Sequence, residues 1–266
     1  MPQVGAPLRS WCGRIALAVA SVSLAYAIVT AGVAMTWRVG LLGAAALGAL
    51  GLAFRYVPAF DPLGRVRWRL PLTDGRKSCA LTFDDGPTAA TGAVLDILAA
   101  EQIPATFFVI GANVERHPAL VRRAQAEGHA VGIHGMTHAR LASAPASMIA
   151  GQVDGVSDAL SRAGVTHARV YRTPHGIKSP RVFEVARRRG LTLWAWSRGV
   201  WDTDRPAPDL IVRRATRGAR AGMVLLLHDG RGDEAEPDTS AMVAALPRIV
   251  RELKRRGFAF VRLADV

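Results

Sequence analysis

The stretch that most constrains the fold of this chain runs from Cys79 to Pro87 and reads CALTFDDGP. Its first five residues predict a buried strand, which stops at the adjacent carboxylates of Asp84 and Asp85. Gly86-Pro87 then breaks the chain into a turn. Two adjacent carboxylates repel each other unless a cation lies beside them. The stretch is therefore either a plain polar loop or a cation site, and residues further along the chain must decide between the two.

Length and charge limit the possible functions. With 266 residues and a net charge of +13, the chain can hold one sizeable domain plus an appendage, and it is strongly basic. The aromatic–basic interleaving that is typical of single-strand binding is missing. We therefore expect solvated helix faces and contact with membrane lipid, and we do not expect nucleic acid as a partner. The two cysteines, Cys12 and Cys79, form no disulfide framework.

The N-terminal part predicts a membrane anchor. An apolar run of about 21 residues from Ile15 to Met35 would measure ~31 Å as a helix, which is enough to cross a bilayer. A second apolar run, from Val39 to Phe54, is rich in Gly and Ala and lies at the lower edge of a span. The sequence therefore favours a two-helix membrane hairpin over residues 1–56, a linker over 57–75 and a main domain over 76–266.

Two alternatives to the hairpin stay open. A cleaved signal peptide would end at Ala25-Tyr26-Ala27, although the apolar pattern continues past it. A single span would leave Val39–Phe54 at the membrane surface. Arginines at both ends of the hairpin favour a bacterial inner membrane with both ends, and hence the main domain, in the cytoplasm. With one span, the main domain would be periplasmic or extracellular.

From Cys79 onward, short β-like runs alternate with helix-like patterns. The seven expected strands are Cys79–Phe83, Ala105–Ile110, Ala130–Ile133, Arg169–Tyr171, Leu191–Ala195, Met223–Leu227 and Phe258–Val261. This alternation implies parallel pairing and an α/β fold, either as a barrel or as an open sheet.

Ionisable residues follow five of these strands. They are Asp84 and Asp85, His134 with His138, Arg172, Asp202, and His228 with Asp229. In a parallel α/β fold the carboxyl ends of all strands lie on one face, where active sites are built. The distribution therefore predicts one site that draws on several loops.

His134 and His138 have the spacing of two metal ligands on one helical turn. A surface helix gives the same spacing, so the pair alone does not decide. A carboxylate from Asp85 would complete a set that leaves positions open for water and substrate, as in catalytic zinc sites. We therefore expect one divalent metal ion, with zinc favoured, and Asp84 free to act as a base.

Five motifs resemble the polysaccharide deacetylases with a NodB-like domain, which form carbohydrate esterase family four. They are Thr82-Phe83-Asp84-Asp85-Gly86-Pro87, His134-Gly135-Met136-Thr137-His138, Arg172-Thr173-Pro174-His175-Gly176, Trp201-Asp202-Thr203-Asp204 and Leu225-Leu226-Leu227-His228-Asp229. The resemblance covers residues 76–266. It implies a distorted (β/α) barrel of about seven strands, a divalent metal, and hydrolysis of an N-acyl group on an amino sugar. The implied partner is an N-acylated amino-sugar glycan, either a polysaccharide or a lipid-linked glycan.

The resemblance, with the chemistry of the side chains, implies a role for each residue. Asp85, His134 and His138 would bind the metal, and Asp84 would take the proton of the attacking water. His228 would protonate the departing amine.

Further residues complete the expected site. Arg172 would keep Asp84 ionised, and Asp202 would be the acidic neighbour of His228. Pro174, His175 and Leu227 are the candidates for substrate binding. A backbone N–H near His175 would hold the oxyanion, and the leucines would line an acyl-methyl pocket.

The motifs depart from the family pattern at three positions. Gly135 stands where Ser or Thr is usual, and His175 stands where Tyr is common. The fourth motif has a different order, which leaves Asp204 as an alternative to Asp202. An inactive protein of the same fold, acting as a membrane-anchored carbohydrate-binding or scaffold protein, is the alternative to an enzyme.

Overall fold

Nine short strands form one sheet in the computed structural model, which describes residues 19–24, 35–57, 61, 64–72, 75–232 and 234–266. The strands are β1 (Val66–Arg67), β2 (Ser78–Asp84), β3 (Thr106–Val109), β4 (Ala130–Ile133), β5 (Val170–Tyr171), β6 (Thr192–Trp194), β7 (Arg198–Gly199), β8 (Met223–His228) and β9 (Ala259–Phe260). All seven predicted strands are confirmed, to within one residue at each end. The two additional strands, β1 and β7, have only two residues each.

The strand order is β1-β6-β5-β4-β3-β2-β8-β7, with β9 beside the start of β2. All of these pairs are parallel, as the strand–helix alternation predicts. Only three residues separate β6 from β7, although these strands pair near opposite ends of the order. The chain therefore connects the two sides of the sheet and curls it, which is consistent with the expected distorted (β/α) barrel.

Helices precede β1 and lie in the connections between the strands. They are α1 (Met35–Tyr56), α2 (Ala89–Ala100), α3 (Gly111–Arg116), α4 (Pro118–Ala126), α5 (Ala146–Arg162), α6 (Pro180–Arg188), α7 (Pro208–Thr216) and α8 (Ser240–Arg255). The local sequence explains where α6 begins, because the Ser179 side chain accepts a hydrogen bond from the backbone N–H of Val182. Pro180 follows at the first helical position, where no N–H is needed.

The strands bury both faces, and their alternation decides which side chains can reach the site. On β2, Cys79, Leu81 and Phe83 join the larger core beneath the helices. Ala80 points the other way, into a smaller cluster inside the curl of the sheet. Since successive side chains alternate between faces, Asp84 shares the inner face with Ala80.

The predicted membrane anchor can be compared with the structure only in part. Helix α1 contains the second apolar run, and residues 19–24 are also helical, while most of the Ile15–Met35 run lies outside the described residues. No helix within the described ranges is long and apolar enough to cross a membrane. The structure therefore does not support the predicted membrane hairpin.

The predicted linker contributes to the sheet. Within residues 57–75, β1 pairs with β6, and Leu70 is buried in the inner cluster. The backbone N–H of Leu70 donates to the Gly222 carbonyl at 2.9 Å. Sheet structure thus begins before residue 76, whereas the division of the chain into anchor, linker and domain stays a prediction.

Packing around Gly132 of β4 generates a stability prediction. A Cβ atom at this position would lie 2.6 Å from Cγ2 and 3.0 Å from the carbonyl oxygen of Val170. Gly132→Ala should therefore lower the free energy of unfolding by ~1–3 kcal/mol, measured by urea denaturation, because neither the stiff valine nor the backbone can yield easily.

Gly151→Ala is the matched control. Gly151 lies inside α5, and an added Cβ would meet nothing within 4 Å. This change should stabilise the protein by ~0.5–1 kcal/mol, as alanine does in helix interiors. Equal effects of the two substitutions would contradict the packing described for β4 and β5.

Candidate active site

Asp85, His134 and His138 converge beyond the carboxyl ends of β2 and β4. One ligand atom from each of the three lies within 4.8 Å of the other two. The Asp85 Oδ1 atom is 3.3 Å from the Nε2 atoms of both histidines. Asp85 and His134 are buried, and His138 is half-buried. The three residues predicted as metal ligands therefore form one compact group.

The spacing of the two histidines suggested a helix, but they do not lie on one. They lie in the loop after β4, where Gly135 has φ 91° and His138 has φ 54°. These two left-handed residues turn the loop back on itself, so that the imidazole rings lie 5.2 Å apart. The four-residue spacing works here through a tight loop and not through the helical repeat.

The donor group fits a divalent cation. Asp85 Oδ1 is buried and has no hydrogen-bond partner among the described residues, whereas Oδ2 accepts from the Gly232 backbone N–H at 2.8 Å. His134 Nδ1 lies 2.8 Å from the Arg172 carbonyl, so this nitrogen carries the proton and Nε2 presents its lone pair to Asp85. A bare carboxylate oxygen and two imidazole nitrogens at this spacing are a ligand set that zinc prefers.

The charges near Asp85 and the hydrogen bonds that hold its loop both support a role for Asp85 as a metal ligand. Burial alone would raise the pKa of its carboxyl group, but the contact with His134 and the charges of the nearby histidines lower that pKa well below its usual range. Asn113 of α3 donates to the Asp85 carbonyl at 2.7 Å and to the Gly232 carbonyl at 3.1 Å. Asn113 thus holds the loops after β2 and β8 together, a role that no sequence motif indicated.

Arg172 is fully buried and orients Asp84. Its Nη1 atom donates to Asp84 Oδ1 at 2.7 Å and to the Thr82 hydroxyl at 2.8 Å. Its Nη2 atom donates to the Ala195 carbonyl at 2.9 Å, and its guanidinium lies over the Phe108 ring. One oxygen of Asp84 is thus held by Arg172, while Oδ2 faces His134 Nε2 at 3.7 Å.

His228 ends β8 and forms a second charged pair with Asp202. The Nδ1 atom of His228 lies 2.9 Å from Asp202 Oδ1, and its backbone N–H donates to Oδ2 at 2.7 Å. Burial alone would lower the pKa of His228, but Asp202, with smaller contributions from Asp85 and Asp84, raises it to about 10. His228 is therefore protonated at neutral pH.

Asp84, His228 and the three candidate metal ligands line an open cleft of about 380 Å³. Its walls consist of Asp84, Asp85, His134, His138, Arg140, His175, Gly176, Trp196, Thr203, Asp204, Leu226, His228, Arg231 and Gly232. Trp196, Arg140 and Arg231 were not singled out from the sequence, because each lies in a loop with no motif pattern around it. Asp204 also lines the cleft, while Asp202 lies behind His228.

The three residues predicted to bind substrate have different positions. His175 lines the cleft, and its ring lies 4.2 Å from that of His138. Pro174 is buried and packs beside Gly135 instead of lining the cleft. Leu227 is fully buried in the core beneath the helices and does not line the cleft, whereas Leu226 does. Strand alternation explains this, since Leu226 and His228 share a face.

Backbone strain is concentrated around the cleft. Six non-glycine residues of the described chain have positive φ, and four of them are Asp85 (74°), His138 (54°), His175 (59°) and Trp201 (51°). Such conformations are costly and persist where the surrounding structure holds them, often at functional sites. The loops of this cleft are therefore shaped for the placement of their side chains.

Comparisons with known proteins identify the family. A model of the family described as polysaccharide deacetylase matches residues 72–194. A peptidoglycan-N-acetylglucosamine deacetylase of Bacillus cereus is 34% identical over 210 residues, which cover 77% of this chain and 94% of the relative. The chain belongs to the polysaccharide deacetylase family. Membership places it among the hydrolases that deacetylate carbohydrates, and it confirms the resemblance of the five motifs.

Further relatives of this polysaccharide deacetylase agree with the assignment to the family. A chitooligosaccharide deacetylase of Sinorhizobium fredii is 40% identical over 191 residues, covering 69% of this chain and 89% of the relative. One similar crystal structure is that of a peptidoglycan N-acetylglucosamine deacetylase in complex with 4-naphthalen-1-yl-N-oxidanyl-benzamide. It superposes with a TM-score of 0.70 at 28% sequence identity, and the match covers 77% of this chain and 96% of the other. A family 4 carbohydrate esterase from Streptomyces lividans in complex with acetate gives 0.62 at 28% identity, covering 69% and 91%.

The His228–Asp202 pair generates a pH prediction. Asp202→Asn removes the carboxylate that raises the pKa of His228 and leaves the burial that lowers it, so this pKa should fall below about 10. The imidazolium should therefore lose its proton at lower pH than in the unchanged protein. NMR titration of the His228 ring measures this directly, without reference to activity.

Asp204→Asn is the control, because Asp204 lines the cleft and has no hydrogen bond to His228 in the structure. It should leave the His228 titration close to that of the unchanged protein. If Asp204→Asn moved the titration more than Asp202→Asn, the pairing would be wrongly assigned.

Proposed function

We propose that this polysaccharide deacetylase removes the N-acetyl group from N-acetylglucosamine units of a polymeric glycan, with a divalent metal ion, zinc, held by Asp85, His134 and His138. The observation that carries the proposal is the position of the Asp85 Oδ1 atom. This atom is buried without a hydrogen-bond partner among the described residues, and it lies between two imidazole nitrogens. It lies in a cleft that also contains a candidate base and a candidate acid. When bound, such an ion would supply Lewis acidity that polarises the acyl carbonyl and makes water a better nucleophile at neutral pH.

Asp84 is the proposed general base. Its Oδ1 atom is engaged by Arg172, and Oδ2 is directed toward the ligand group and the cleft. A carboxylate held in this way can accept the proton of the attacking water while its geometry is maintained by a permanent cation. Arg172 contacts the base and not the substrate, so it acts as a positioning residue.

His228 is the proposed general acid. Asp202 engages its Nδ1 atom, which leaves Nε2 to carry a proton toward the cleft. When the carbon–nitrogen bond of the amide breaks, this proton would pass to the departing nitrogen, so that the products are acetate and a free amino sugar. Asp202 stabilises the imidazolium and holds the ring, and does not itself need to exchange a proton.

The walls of the cleft support an acetyl substrate. We assign the backbone N–H of His175 to the oxyanion, and the side chains of Leu226 and Trp196 to the acyl methyl group. All three residues line the cleft. These positions replace Leu227 as the apolar wall and keep the expected role for the backbone near His175.

The cleft also bears on the class of glycan. It is open to solvent, as a site that accepts a unit within a chain must be, and the relatives are named for peptidoglycan and chitooligosaccharide. Of the two classes expected from the sequence, a polysaccharide and a lipid-linked glycan, we therefore favour the polymer. An inactive carbohydrate-binding protein is disfavoured, because candidate base, acid and metal ligands are all in place. Acetate release from chitooligosaccharide and from peptidoglycan, with and without a chelator, tests the proposed function.

Metal binding can be tested separately from turnover. His138→Ala removes one of three ligands, and we expect the affinity for zinc to fall by ~100-fold or more, beyond the ~10–100-fold effect of outer-shell changes. Competition with a chromophoric chelator measures this affinity.

His175→Ala is the control for that experiment, since its ring lies 4.2 Å from His138 but is outside the ligand group. It should retain the metal. Full occupancy in His138→Ala, or an equal loss in His175→Ala, would contradict the assignment of ligands.

The base can be tested with an isosteric change. Asp84→Asn preserves an oxygen for Arg172 but removes the proton acceptor, so turnover should fall by ~100-fold or more while zinc remains bound. Asp96→Asn, an exposed carboxylate on α2, should retain full activity. Loss of zinc in Asp84→Asn would assign Asp84 to the ligands instead.

A further inference from the structure

A second open cavity of about 370 Å³ lies at the opposite end of β8 from the cleft. Its lining consists of Arg69, Ser197, Arg198, Gly218, Arg220 and Met223. Met223 begins β8 and His228 ends it, so five strand steps of ~3.4 Å place ~17 Å between the cavity and the proposed acid. The cavity is therefore separate from the machinery of deacetylation.

Three elements bring arginines to this cavity. Arg69 forms an antiparallel bridge with Met223, directly after β1. Arg198 begins β7 and donates from Nη1 to the Arg214 carbonyl at 3.0 Å and from Nη2 to the Gly218 carbonyl at 3.2 Å. It thereby fixes the end of α7, and three of its five N–H groups remain for another acceptor. Arg220 lies in the short connection between α7 and β8.

The lining holds three cations and no carboxylate. None of the three arginines takes part in an ion pair within the described parts of the chain. Other basic residues of the surface do form ion pairs; Arg251 and Lys254, for example, both pair with Glu101. Burial, and then the charges of Arg220 and Arg69, lower the pKa of Arg198. Mutual repulsion of this kind is relieved when an anion lies between the cations.

We propose that this cavity binds a phosphate-class oxyanion. Guanidinium groups present paired N–H donors that match phosphate oxygens, and two or three arginines around one cavity are the usual means of holding a doubly charged group. A cavity of about 370 Å³ holds a phosphoryl group together with part of the molecule that carries it.

Exposed apolar residues close to Arg69 in the chain favour one source of the phosphate. Trp68 and Leu72 lie on either side of Arg69 along the chain and are 37% and 61% exposed, respectively. Exposed tryptophan next to arginine is typical of surfaces that meet lipid headgroups. This combination favours the phosphate of an anionic lipid over a soluble phosphate, and the two sources can be separated by experiment.

The test uses the full-length, metal-loaded protein at low salt. The double variant Arg69→Gln/Arg220→Gln removes two cavity charges, and Arg187→Gln/Arg213→Gln removes the same charge from exposed helix positions outside the cavity. Binding of inorganic phosphate is measured by calorimetry, and binding to phosphatidylglycerol–phosphatidylcholine vesicles by sedimentation. We expect the cavity variant to bind both probes at least about tenfold more weakly, and the control variant to bind within about twofold of the unchanged protein. Deacetylation should be equal in all three proteins, which also shows that the variants are folded.

A third variant distinguishes the two sources. Leu72→Ser should weaken binding to vesicles and leave phosphate affinity unchanged, if the cavity serves a lipid headgroup. If Leu72→Ser changes neither measurement while the cavity variant loses phosphate, the oxyanion site stands and its ligand is a soluble phosphate. Equal losses in the cavity and control variants, or undiminished binding by the cavity variant, would overturn the proposal, as would failure of the unchanged protein to bind either probe.

Discussion

The buried ion pair between Arg172 and Asp84 is the contact on which the rest of the site depends. Arg172 leaves the end of β5, and its guanidinium reaches two side chains of β2 and the carbonyls at the end of β6. Its own carbonyl orients His134 after β4. One residue thus sets the positions of the proposed base, a proposed metal ligand and three strand ends. Burying this charge is expensive, and removing one partner of such a pair typically costs ~3–5 kcal/mol, so the interaction is maintained for the geometry that it enforces.

Two charged pairs hold a carboxylate and an imidazole at neighbouring positions of the cleft. Asp84 has a permanent cation against one oxygen, whereas His228 has the buried carboxylate of Asp202 against one nitrogen. Each partner lies on the side away from the cleft and leaves one functional atom facing it. The carboxylate of Asp84 and a protonated imidazole of His228 can therefore face the same small cleft. Deacetylation requires that combination, since one proton leaves water and another joins the amine.

The sequence predicted most of the strands and which ionisable residues would come together, because both are recorded in short local patterns. Strands β1 and β7 were missed because Val66-Arg67 and Arg198-Gly199 lie in no apolar run, unlike the equally short β5 and β9. The histidine loop was predicted in the wrong conformation, because positive φ at His138 is not visible in residue type. Leu226 lines the cleft, whereas Leu227 was the residue predicted from the sequence; counting back two positions from His228 identifies Leu226. Trp196, Arg140 and Arg231 reach the cleft only through the fold of their loops.

The curl of the sheet explains how one small domain can present two unrelated sites. Parallel strands gather their carboxyl ends on one side, where the loops after β2, β4, β5 and β8 carry ionisable groups and where Asp85, His138 and His175 have positive φ. The opposite ends of the same strands are closed by the segment around Leu70, which inserts an apolar side chain into the inner cluster and places Arg69 beside Met223. The segment that closes the sheet is therefore also the one that brings a cation and exposed apolar side chains to the far end. Contacts made there need not disturb the cleft, because a packed strand interior separates the two.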